Sequence, residues 1–158
     1  MIKFLASSLF IILLTTACSV LTLQPANFSW PIESILPVDD QGNVAEDRYS
    51  VEFNTKGLFF EEFKDSLAFE GKEINLIRNN EGNYFITASE FKNVYVFKAN
   101  EGTLALHKKI NISETALNKP AFNQRDSYIE LIDGDKKFNL SSQGIVEDSG
   151  LRQEGGAQ

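Results

Sequence analysis

Short apolar runs separated by turn residues constrain this chain more than any other feature. Tyr49-Ser50-Val51-Glu52-Phe53-Asn54-Thr55 alternates, with Tyr49, Val51 and Phe53 on one face, which is the period of a half-buried strand. Ile74 and Leu76 share the face of a second run, which enters Asn79-Asn80-Glu81-Gly82 and returns as Asn83-Tyr84-Phe85-Ile86-Thr87. In such a loop the glycine takes the positive φ that closes a hairpin and that other residues avoid. The same Asn-Glu-Gly recurs at Asn100-Glu101-Gly102, between Val94-Tyr95-Val96-Phe97 and Leu104-Ala105-Leu106. Val94 to Phe97 is apolar on both faces, as expected of a strand covered on both sides.

A third hairpin is expected from Tyr128–Ile132 to Lys137–Leu140 through Asp133-Gly134-Asp135, with further turns at Asp40-Gln41-Gly42 and Ser142-Gln143-Gly144. Residues 57–70 fit either a helix, with Phe59, Phe63 and Leu67 at four-residue steps, or two short strands. Ser113 is placed to cap a helical turn through Leu117, ended by Pro120. The whole reads as an all-β domain, an antiparallel hairpin meander of about seven to nine strands. A sandwich or a small barrel with one short helix satisfies that pattern.

The leader carries a different signal. Lys3 is the only charge before Glu33, and Phe4–Leu14 behind it has the length of a signal-peptide core, short for a membrane span. Next comes Leu14-Thr15-Thr16-Ala17-Cys18-Ser19, which resembles the lipobox of bacterial lipoprotein precursors. There, small or aliphatic residues precede an obligatory cysteine. Ala17 fills the small position before the cut; the leucine lies four residues before the cysteine, where the family has it three before.

The resemblance covers about the first twenty residues. It implies cleavage between Ala17 and Cys18, a diacylglyceryl thioether on Cys18 and acylation of the new amino group, with palmitate-type chains. Two or three such chains hold firmly, since each buried methylene contributes about 0.8 kcal/mol. Ser19 after the cysteine implies passage to the outer membrane in the enteric sorting pattern, facing the periplasm or the surface. Because residues 4–23 hold no charge, an uncleaved signal anchor also fits, although Thr15, Thr16, Ser19 and Thr22 make its second half a poor lipid-facing helix.

The segments therefore read as a signal peptide (1–17), a lipidated cysteine with a short tether (18–27), one β domain (28–148) and a flexible tail (149–158). Near the tether, Trp30 with Pro31, Ile32, Ile35, Leu36 and Pro37 reads as a segment docked on the core.

Composition narrows the function. With 15 Lys and Arg against 22 Asp and Glu, the net charge is −7, which opposes nucleic-acid binding because that needs a cationic footprint. Cys18 is the only cysteine and His107 the only histidine. No disulfide can form within the chain, Cys/His zinc sites are ruled out, and Ser-His-Asp or Cys-His catalysis finds no support. His107 falls opposite the Leu104/Leu106 face and reads as a surface residue.

The carboxylate pairs Asp39/Asp40, Glu61/Glu62 and Asp133/Asp135 are the remaining candidates for chemistry. Adjacent residues on a strand face opposite ways, and Asp133-Gly134-Asp135 lacks the rest of a calcium loop. No catalytic residue, metal or cofactor is expected, and a hydrolase whose two carboxylates meet in space is the third reading after the two below. The functional expectation is a membrane-anchored envelope lipoprotein that works without catalysis, as a protein-interaction or structural module. Its partners are the membrane, through Cys18, and an envelope protein. The alternative is a lipocalin-like carrier that holds an apolar ligand in a cavity lined by some of its thirteen Phe.

Overall fold

The computed structural model describes residues 31–100 and 103–146. Their elements run, in chain order, β1 (Ser34–Pro37), β2 (Asn43–Glu46), β3 (Val51–Asn54), α1 (Lys56–Phe63), β4 (Glu73–Arg78), β5 (Asn83–Thr87) and β6 (Asn93–Asn100). They continue with β7 (Thr103–Asn111), β8 (Pro120–Gln124), β9 (Ile129–Asp133), β10 (Lys136–Ser141) and β11 (Gly144–Ile145). All pairings are antiparallel. A central five-stranded sheet has the order β1-β4-β5-β6-β7, a second sheet the order β11-β10-β9-β8, and β2-β3 form a separate hairpin.

Side-chain alternation explains why β4, β5 and β6 are buried almost throughout. Ile74, Leu76, Tyr84, Ile86 and Tyr95 face one way, onto Leu58 and Phe59 of α1 and Val44 of the β2–β3 hairpin. Their neighbours Ile77, Phe85, Val94 and Val96 face the other way, onto Phe122, Ile129, Leu131 and Leu140 of the second sheet. The central sheet is thus sandwiched, and its apolar strands need no polar face. Two buried clusters occupy the interlayer spaces, and Phe59, Phe69, Phe85, Phe91 and Phe122 belong to them. Both sheets have edges, β1 and β7 in one and β11 and β8 in the other, which makes a sandwich and not a closed barrel.

The three hairpins read from sequence form at the stated places, with β4–β5, β6–β7 and β9–β10 as their arms. Turns 39–43 and 79–83 share one construction. In each, the first side chain accepts from two backbone amides through its Oδ1: Asp39 from Gln41 and Asn43, Asn79 from Glu81 and Asn83. Gly42 and Gly82 then supply φ of 80° and 84°.

Of residues 57–70, those up to Phe63 belong to the helix α1 and the rest form turns. A helix this short is unstable alone, so its packing decides. Phe59 is fully buried, with ring centroids 5.1 Å from Phe91 and 6.2 Å from Phe63. Thr55 caps through its carbonyl, which accepts from Leu58 and Phe59, while its hydroxyl donates to Gly42 O.

Several expectations require correction. Eleven strands are present among the described residues, more than the seven to nine expected, because β1, β2 and β11 are too short to show a period. Ser113–Leu117 is a loop: the Ser113 hydroxyl accepts from Thr115 N, and Leu117 N donates to Phe91 O, so the bonds a helical turn needs go elsewhere. Pro120 opens β8 instead of closing a helix. Leu67 lies beyond α1 and is exposed, since Lys64 ends the helix in a left-handed conformation. In the 31–37 segment Leu36 is buried, but Ile32 and Ile35 face outward.

Candidate functional site

One end of the central sheet collects the β4–β5 turn, the β6–β7 hairpin and the β2–β3 connection. Arg78 closes β4 on the face of Ile74 and Leu76, directly opposite Tyr84 of β5. An apolar face that ends in a cation needs a polar or aromatic neighbour, and two tyrosines provide it. The Arg78 guanidinium carbon lies 5.6 Å from the ring centres of both Tyr49 and Tyr84. Those rings meet edge to face at 6.0 Å. Contacts of this kind hold a cation by the ring quadrupole, the more strongly where water is partly excluded.

Gly82 completes the cradle. A Cβ on it would lie 3.2 Å from Arg78 Nη2, so the glycine serves both the turn and the approach of the guanidinium. Arg78 Nε is buried with no hydrogen-bond partner, and among the described residues Arg78 forms no ion pair. A buried donor without an acceptor costs about 1 to 3 kcal/mol.

Two clefts flank this group. One, of about 400 Å³, is lined by Arg78, Glu81, Gly82, Asn83, Lys98 and Ala99. The other, of about 280 Å³, is lined by Tyr49, Val51, Tyr84, Ala99, Thr103 and Leu104 together with Ser50 and Glu52. Ala99 lines both. The first presents Arg78, Lys98, Glu81 and Asn83, and the second joins aromatic and aliphatic surface to Ser50 and Glu52. Together they offer recognition chemistry: charged groups beside a partly apolar surface.

Comparison with known proteins finds no match. Neither a family model, nor a curated sequence, nor a solved structure resembles this chain.

The residues singled out from sequence lie elsewhere. Ala17 and Cys18 fall outside the described residues, as does Trp30. His107 is exposed, as expected, and is the extra residue of a bulge in β7. The register passes from Val96 opposite Lys108 to Phe97 opposite Leu106, and the imidazole Nε2 lies 3.3 Å from Gln143 Nε2. Asp39 is a turn former whose pKa is lowered, first by the amide of Asn43. Asp40 is exposed.

Glu61 and Glu62 diverge. Glu61 pairs with Lys109 at 2.7 Å, which lowers its pKa, with a smaller contribution from Lys64. Glu62 turns inward and accepts from Lys92 N, Asn93 Nδ2 and Tyr95 Oη at 3.0, 2.7 and 2.8 Å. Burial, and then Glu62, push the Tyr95 phenol well above its ordinary range. Asp133 Oδ1 accepts from the amides of Asn118 and Lys119 and ties the 112–119 loop to β9, while Asp135 lies exposed in the β9–β10 turn. Among the described residues no three His, Cys, Asp or Glu side chains gather as a metal-binding set, and no helix is long and apolar enough to cross a membrane.

Arg78, Tyr49, Tyr84 and Lys98 were not legible as a site. One signal did exist: a charged residue continuing the Ile74/Leu76 face at position 78, where an inward side chain must be apolar or specially accommodated.

Proposed function

We propose that this protein is a lipid-anchored component of the bacterial cell envelope whose β sandwich acts as a non-catalytic binding module. The anchor is the acylated Cys18 left after cleavage behind Ala17, and the compartment is the outer membrane, facing the periplasm or the surface. The lipobox-like segment supports the anchor, and the acidic chain supports a partner other than nucleic acid. The Arg78 cleft carries the module reading, because it presents a preorganised, unpaired guanidinium beside apolar surface. Rigid placement of this kind raises affinity by lowering the entropy lost on binding. The partner is an envelope protein.

Site-specific photo-crosslinking in native membranes tests this reading. A photoreactive side chain at exposed Thr103, on the rim of the cleft, is expected to give a discrete adduct. The same group at exposed Lys136, in the hairpin at the other end of the second sheet, is expected to give none. Identical adduct patterns at the two positions, or none at Thr103, contradict the module reading.

A further inference from the structure

Arg78 is one of several described cations that form no ion pair, and its surroundings set it apart. Acids outnumber bases by 22 to 15, and Arg125, Lys72 and Lys109 each hold a carboxylate within 2.7 Å. Arg78 instead is held by Tyr49, Tyr84 and the space left by Gly82, with its Nε desolvated and unbonded. Arg78 also lines the 400 Å³ cleft, where its guanidinium meets what enters from outside. Guanidinium presents its N–H groups as a rigid planar fork, and the acceptor that matches it is a pair of oxygens on one atom.

We propose that Arg78 binds a carboxylate that carries an apolar group beside it, an inference that rests on the binding-module reading. The guanidinium fork selects a planar pair of oxygens, and Glu81 in this cleft and Glu52 in the adjoining one oppose the two charges of a phosphate more than the single charge of a carboxylate. The neighbouring surface selects the body. Beside Ser50 and Glu52, the adjoining 280 Å³ cleft is lined by Tyr49, Val51, Tyr84 and Leu104, against which an aromatic or aliphatic side chain displaces water. Two sources present this chemistry, a peptide that ends in an apolar residue and a free hydrophobic acid.

The test uses the full chain in detergent with 15N-labelled arginine, following the Nε–Hε resonance of Arg78. The probes are N-acetyl-leucyl-phenylalanine, its C-terminal amide, phenylpropionate and inorganic phosphate. The free-acid peptide is expected to shift the resonance, and its amide and phosphate are not. A shift with phenylpropionate of similar affinity assigns the site to free acids, and a much weaker one assigns it to peptide ends; either supports the carboxylate.

R78K keeps the charge and loses the fork, so binding followed by calorimetry is expected to weaken roughly tenfold or more. R78Q is expected to abolish it, with folding of both variants checked by their amide spectra. Equal shifts with acid and amide, a matching shift with phosphate, no shift with any probe, or full affinity in folded R78K would overturn the proposal. If the probes fail while Thr103 still forms its adduct, only the carboxylate inference falls. If both fail, the binding module falls with it.

Discussion

The backbone amide of Phe122 donates to Glu33 Oε1 over 2.8 Å, joining residues 89 positions apart. The same oxygen accepts from Asn75 Nδ2 at 2.9 Å, and Asn75 also donates to Pro120 O at 3.1 Å. One carboxylate therefore connects the segment before β1, strand β4 and the edge strand β8. It satisfies an amide on that edge which would otherwise invite another strand.

E33A is expected to lower unfolding free energy by about 1 to 3 kcal/mol, the cost of leaving such donors without an acceptor. E33Q keeps an acceptor oxygen and is expected to lose less. Urea unfolding of the two variants checks the order, and equal stability of E33A and the parent protein would show that water replaces the carboxylate.

Tyr95 offers a pH test at the alkaline end. Its phenol is 2% exposed and bonded to Glu62, and its pKa is raised by burial first and by that carboxylate second. The folded pKa lies above the unfolded one, so the stabilisation is fully present below about pH 10 and is lost as pH rises through the folded value. In Y95F the decline in stability above about pH 10 is expected to be shallower. Ultraviolet titration of the parent protein, which has four tyrosines, should leave Tyr95 un-ionised until the chain unfolds. Titration of all four in the folded state would contradict the buried hydrogen bond.

The sign reverses for Asp39. Its pKa is depressed below 3.8, chiefly by the Asn43 amide. The contribution is present above the ordinary carboxylate value and is lost as pH falls through the depressed one. D39N retains an acceptor but cannot titrate, so its stability is expected to fall less steeply than that of the parent between about pH 5 and 2. Chemical denaturation along that range gives the slopes, and parallel curves would remove Asp39 from the acid response.

The hairpins were legible because each depends on a few adjacent residues. Asn79 to Gly82 carries both the amide-accepting side chain and the positive-φ glycine, and Asn83–Thr87 matches β5 residue for residue. The burial of Val94 to Val96 followed from their being apolar on both faces. Strand β1 was not legible as a strand: four residues ending in Pro37 show no period, and it pairs across the chain with β4. The loop at 113–117 misled because Ser113 and Pro120 are helix punctuation locally, whereas Phe91 and Asp133 supply the deciding bonds from distant strands. The Arg78 cleft was hidden for the same reason. Tyr49 reaches it from the β2–β3 connection, and only the register Arg78 opposite Tyr84 brings the second ring alongside.

Anchoring through Cys18 is tested most directly by the intact mass of the protein isolated from its native membranes. The expected mass lacks residues 1–17 and includes a diacylglyceryl group with two or three fatty acyl chains in all. A mass that retains residues 1–17 and carries no acyl chain would contradict the lipid anchor.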